Sequence, residues 1–150
     1  MDRMNFVCGA CAVKLMIMDG QGGGIGAAII TGIRESLGND PVVLALGSNS
    51  IATSRMMKAG ANRGGTGENA IVHTSRMVDI ISGPLAIIMA NSMMGEVTPG
   101  MAAAISSSNA RKVLIPLTQE NVTIVGDSGE PLPHLVAKAV KIIKEMGNHV

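Results

Sequence analysis

The stretch DGQGGGIG, at residues 19–26, concentrates glycine in a pattern that can bind a phosphate group. Glycine has no side chain, so an anion can approach the main-chain N–H groups of such a turn closely. A helix predicted to begin near Ile25 would add unpaired N–H groups and the positive end of its dipole. The candidate phosphate-binding residues are Gly20, Gln21, Gly22, Gly23, Gly24, Ile25 and Gly26. A tight turn without a ligand is the alternative interpretation.

The spacing of Gly20, Gly24 and Gly26 resembles the GxxxGxG turn of the short-chain dehydrogenases. That family carries a catalytic Tyr and a Lys four residues apart, whereas this chain contains no Tyr. The resemblance therefore implies a nucleotide-binding turn without the dehydrogenase reaction.

Asp19 stands directly before the turn, where a bare carboxylate would repel a phosphate. Either this carboxylate accepts hydrogen bonds from the N–H groups of the turn, or a Mg²⁺ ion bridges it to the phosphate. We favour the first role and keep Asp19 as a candidate metal ligand.

The end of the second predicted strand carries Ser48 and Asn49, with Arg55 further along the following helix. Dinucleotide sites that bind a free ribose hydroxyl use an acidic residue at this place. A hydroxyl, an amide and a guanidinium suit a 2′-phosphate better, so NADP is favoured if a dinucleotide binds. The alternative is that this stretch only caps the next helix.

Glu68 and Glu96 each lie near the start of a predicted helix, in the polar stretches TGEN and ANSMMGEVTP. Either is a candidate general base if the protein is an enzyme. Helix capping explains both stretches equally well, so the sequence does not decide whether a reaction is catalysed.

Cys8 and Cys11 form a CxxC pair, which supplies only half of the four ligands that a structural zinc site needs. We expect these cysteines to be incidental and residues 1–12 to lie outside the fold. Residues 13–150 are expected to form one domain, and Val13 is a hypothetical natural start that the mass of the native protein would test.

The elements that would position these residues alternate along the chain. Short apolar runs predict five strands, at residues 13–18, 42–46, 78–82, 113–116 and 122–125. Helical patterns run over residues 25–37, 51–60, 67–77, 85–94, 98–107 and 131–147, the third capped by Thr66. Such alternation predicts an α/β fold, a Rossmann-like three-layer sandwich with a mainly parallel sheet of about five strands.

The composition excludes several classes of function. A net charge of +1 provides no basic surface for nucleic acid. The sequence shows neither a membrane-spanning run nor a secretory signal, so we expect a cytoplasmic protein. Hydrophobic residues make up 47% of the chain and charged residues only 15%. This apolar surplus predicts a homodimer or other homo-oligomer that covers part of the surface.

Several long motifs together resemble an uncharacterised bacterial family, domain of unknown function 3842. These are DGQGGGIG, ALGSNSIATS, KAGAN…TGENAI, DIISGP, IIMANSMMGEVTPGMAAAI and VLIPL…NVTIVG. The resemblance covers the chain from Val13 to the last helix and implies a small stand-alone α/β protein, with no reaction assigned.

We therefore expect a protein that binds a phosphate-containing small molecule, with NADP ahead of a mononucleotide. A non-catalytic sensor or assembly subunit acting through its oligomer interface is the alternative. A small enzyme acting on a phosphorylated metabolite is the weaker alternative.

Overall fold

A five-stranded parallel sheet forms the centre of the computed structural model, which describes residues 7–8, 11–117 and 120–148. The strands are β1 (Lys14–Asp19), β2 (Val42–Gly47), β3 (Arg63–Thr66), β4 (Ile80–Pro84) and β5 (Arg111–Ile115). Their spatial order is β3-β2-β1-β4-β5, and every neighbouring pair is parallel. This order confirms the predicted Rossmann-like α/β fold.

Helices cover both faces of the sheet. They are α1 (Gly24–Leu37), α2 (Ser50–Lys58), α3 (Glu68–Ser75), α4 (Pro99–Ser107) and α5 (Leu132–Gly147). Helices α1, α2 and α5 share one hydrophobic core with Leu15 and Ile17 of β1. Helices α3 and α4 share a second core with Met16 and Met18. Because successive strand side chains point to opposite faces, the apolar run of β1 contributes to both layers.

The position of one strand was predicted wrongly. No strand forms at residues 122–125, which lie in an exposed irregular segment. The strand that completes the sheet is instead β3, in the sequence RGGTGEN, where no strand was predicted. Strand β3 is at the edge of the sheet and pairs only with β2, so backbone hydrogen bonds hold it without an apolar run.

The predicted helix over residues 85–94 is also wrong. A single 3-10 turn spans Leu85–Ile88, and tight turns follow it. The residue before α3 is Gly67, so Thr66 does not cap that helix. The Thr98 cap of α4 is present, and its hydroxyl accepts a hydrogen bond from the Met101 amide at 3.1 Å.

The segment before β1 contains two short antiparallel strands, Val7–Cys8 and Cys11–Ala12, which are separate from the five-stranded sheet. The remainder of residues 1–10, on which part of the predicted flank falls, lies outside the described residues. Within the described ranges, no helix combines the length and apolarity needed to cross a membrane.

Candidate functional site

A cavity of about 570 Å³ opens beside the glycine-rich turn. The turn follows β1, and the lining residues Pro84 and Ala86 lie at the end of β4 and just after it. Strands β1 and β4 are neighbours where the strand order reverses, which is where ligands bind in open α/β sheets. The lining consists of residues 19–25 with Pro84, Ala86, Asn91, Met93, Met94, Leu117 and Glu120.

Asp19 holds the glycine-rich turn in place by hydrogen bonds to its backbone. Its side chain is buried, and its two carboxylate oxygens accept hydrogen bonds from the amides of Gly20 and Gly26, each at 2.7 Å. Burial raises the pKa of Asp19, although the hydrogen bonds from these amides act in the opposite direction. Asp19 therefore performs the role that we favoured from the sequence, since both oxygens bind the turn.

Glu96 is a second carboxylate beneath the turn. Its Oε1 accepts hydrogen bonds from the Gln21 amide at 2.9 Å and from the side chains of Ser48 and Asn49 at 2.7 Å each. Burial alone would raise the pKa of Glu96, but these hydrogen bonds outweigh it and hold that pKa below its usual value. The ionised Glu96 carboxylate thus connects the turn to the end of β2 by hydrogen bonds.

Ser48 and Asn49 lie close to the turn, as expected if they belong to one site. Glu96 lies between them and the turn, because it accepts hydrogen bonds from both side chains and from the Gln21 amide. The Asn49 amide group also donates to the Gln21 carbonyl at 2.9 Å, and its oxygen caps α2 by accepting from the Ala52 amide at 2.9 Å. Arg55 is exposed, with Nη1 3.4 Å from the Gly22 carbonyl oxygen. Among the described residues, the cavity lining includes none of these three side chains.

Three glycines of the turn are required by packing. A Cβ atom on Gly20 would lie 2.5 Å from the Met93 sulfur, and one on Gly26 would lie 2.5 Å from the Met56 sulfur. Gly23 has a φ of 73°, and its Cβ would lie 2.8 Å from the Ala52 Cα atom. A side chain at any of these positions would displace the contact between the turn and its neighbours.

Gly22 and Gly24 differ from the other three. The nearest atom to an added Cβ is Arg55 Nη1, at 3.8 Å for Gly22 and 3.5 Å for Gly24, which is ordinary contact. Neither residue has a positive φ. Between described residues, no hydrogen bond uses the amide of either glycine as its donor. The fold therefore does not require glycine at these two positions, and their N–H groups remain available.

The wall of the cavity formed by residues 91–95 has an unusual backbone. Asn91, Met93 and Met94 have φ values of 63°, 55° and 56°, a region that residues with side chains rarely adopt. The carboxylate of Glu120 accepts a hydrogen bond from the Met93 amide at 2.7 Å. Glu120 therefore ties the segment after β5 to this left-handed turn.

One family, described as a domain of unknown function (DUF3842), matches residues 14–148. The chain belongs to the DUF3842 family. The match begins at the first residue of β1 and extends beyond α5, so it includes the sheet and the whole cavity lining. No curated protein matches the chain. The description of DUF3842 assigns no activity.

The two predicted general bases are not among the described residues that line the cavity of this DUF3842 chain. Glu68 accepts a hydrogen bond from the Thr98 hydroxyl at the start of α4. Glu96 anchors the turn from below, and neither carboxylate is among the described residues that line the cavity. The carboxylates that do line it are Asp19 and Glu120. Within the described ranges, no group of three His, Cys, Asp or Glu side chains could hold a metal ion.

The sequence prediction missed Glu120 and the two methionines of the left-handed turn, Met93 and Met94, as lining residues. A usable signal existed for Glu120, because it follows β5 at the carboxyl edge of the sheet, as Asp19 ends β1. No comparable signal marks Met93 and Met94, since methionine is not a residue that favours left-handed backbone.

Proposed function

We propose that this protein binds a phosphate-containing small molecule through the amides of Gly22 and Gly24. One observation carries the proposal: among the residues that the structure describes, the amides of these glycines have no hydrogen-bond acceptor, and packing does not require glycine at either position. The absence of a side chain at both positions is explained if an anion must approach the backbone there.

The charges around the turn also favour the binding of an anion. Gly24 is the first residue of α1, whose N-terminus carries roughly half a positive charge. The guanidinium of Arg55 is the nearest group to the open space beside both glycines. The carboxylate of Asp19 is directed to the amides of Gly20 and Gly26, which partly compensates its charge.

The hydrogen bonds at the end of β2 favour a mononucleotide-sized ligand over NADP. A volume of about 570 Å³ is typical of small-molecule sites. Of the three residues expected to bind a 2′-phosphate, Ser48 and Asn49 already donate hydrogen bonds to Glu96, which leaves Arg55. We therefore place a phosphate monoester first and keep NADP as the competing ligand to be measured.

Ultraviolet absorption and thermal stability test this proposal. The chain has no Trp or Tyr, so a band near 260 nm in the purified protein would report a bound nucleotide. Thermal unfolding is then measured with inorganic phosphate, AMP, ATP, FMN, ribose 5-phosphate and NADP. A ligand at 100 times its Kd stabilises the fold by about 2.7 kcal/mol, which raises the Tm by several degrees. If no phosphate compound raises the Tm, the proposal is wrong.

Exposed apolar side chains favour a second candidate function, self-association. Val125 and Met94 are each 97% exposed, and Ile51 is 70% exposed. Such exposure is costly in water and is reduced when a second copy of the chain covers it. We propose a homo-oligomer whose interface uses these residues, which would suit a non-catalytic sensor or assembly subunit.

A further inference from the structure

Glu120 reaches the cavity from a different part of the sheet than the phosphate-binding turn does. It follows β5, which is separated from β1 by β4. Glu120 and the turn nevertheless line the same cavity. A ligand that contacts both therefore needs an organic part that carries a second polar group besides its phosphate.

The two carboxylates of the cavity have different surroundings. Both oxygens of Asp19 accept hydrogen bonds from amides of the turn, so the Asp19 carboxylate stabilises the backbone of the turn. Glu120 is half-buried, and its Oε1 is held at 2.7 Å by the Met93 amide. This bond fixes the position of the Glu120 carboxylate on the cavity wall.

Several side chains that line the cavity together with Glu120 are apolar. They are Pro84, Ala86, Met93 and Leu117. An apolar wall lowers the local dielectric, so a carboxylate there discriminates strongly between a hydrogen-bond donor and a second anion.

We propose that Glu120 selects phosphate esters whose organic part carries a hydroxyl or amino donor, and rejects those with a second anionic group there. This inference rests on the proposed phosphate site and names the class of ligand that the site accepts. A ribose hydroxyl and an amine are two sources of the same donor chemistry.

Isothermal titration with matched pairs tests the inference. The amine pair is 5-aminopentyl phosphate against pentyl phosphate, and the hydroxyl pair is AMP against its 2′,3′-dideoxy form. A hydrogen bond to a charged group contributes enough to make at least one donor ligand about tenfold tighter in the wild-type protein. Inorganic phosphate is titrated in parallel to measure the phosphate site alone.

Glu120→Gln removes the charge but keeps an oxygen that can accept from the Met93 amide. We expect this variant to bind inorganic phosphate at least as tightly as the wild type, because a negative charge is removed from the cavity, and to lose most of the preference for the amine. Asp127→Asn is the matched control, because Asp127 is an exposed acid in the same segment that does not line the cavity. Its preference should equal that of the wild type.

Two results would overturn the inference while leaving the phosphate site intact. One is equal affinity within both matched pairs in the wild type. The other is a donor preference that survives in Glu120→Gln. If inorganic phosphate and every ester fail to bind the wild type, the proposed function itself fails, and this inference fails with it.

Discussion

Gly24→Ala should stabilise the fold and weaken phosphate binding at the same time. Gly24 begins α1 without a positive φ, and replacing glycine by alanine at a compatible position stabilises a fold by about 0.4–1 kcal/mol because the unfolded chain has less conformational entropy. The added Cβ would lie 3.5 Å from Arg55 Nη1, so no steric cost offsets this gain. The free energy of unfolding should therefore rise by up to about 1 kcal/mol, equivalent to a Tm increase of about 1–4 °C.

The same methyl group lies where an anion must approach the amide. Losing a hydrogen bond to a charged group costs about 1.5–3 kcal/mol, so the Kd should rise by about 10-fold to 100-fold. Urea unfolding measures the stability of the unliganded protein, and isothermal titration with AMP and inorganic phosphate measures the binding. Opposite signs for the two effects distinguish a ligand-binding glycine from a structural glycine.

Gly23→Ala is the matched control for that experiment. Gly23 has a φ of 73° and packs against the Ala52 backbone, so its substitution should lower the free energy of unfolding by at least about 1 kcal/mol. If Gly24→Ala destabilises the protein in the same way, or binds phosphate as tightly as the wild type, the reasoning about these glycines is refuted.

Three further predictions concern the anchor, the cation and the surface. The pKa of Glu96 is lowered in the folded state, so its stabilisation is complete above its ordinary pKa and is lost as the pH falls through the lowered value. In Glu96→Gln, the free energy of unfolding measured with urea should fall less steeply between pH 7 and pH 3 than in the wild type. An unchanged pH dependence would contradict this role of Glu96. Arg55→Met should weaken phosphate binding about threefold to tenfold by titration, whereas Lys58→Met on the same helix should not; equal effects would exclude a specific role for Arg55. Ile51→Ser combined with Val125→Ser should shift light-scattering mass towards the monomer, and a wild-type monomer at all concentrations would refute self-association.

The sequence predicted the half of the site that is built from local signals. An apolar run, a glycine turn, a helical stripe and a second apolar run identified β1, α1 and β2 within about one residue of their observed bounds. Asp19 was assigned to the turn correctly, because a carboxylate directly before the glycines lies next to their amides and accepts hydrogen bonds from them.

The other half of the site depends on contacts between distant segments. Strand β3 pairs along an edge and contains two glycines, so no apolar pattern marks it. The left-handed turn over residues 91–95 interrupts an apolar stretch that reads as a helix, and Glu120 fixes it from beyond β5. The distinction between Gly22 or Gly24 and the three packed glycines also requires the coordinates of neighbouring helices.

The most direct test of the central claim is an NMR titration of the ¹⁵N-labelled protein with inorganic phosphate and then AMP. If the turn binds phosphate as we propose, the amide resonances of Gly22 and Gly24 should show the largest downfield shifts and saturate together. Unchanged resonances at both glycines, with the largest shifts in another part of the chain, would contradict the account.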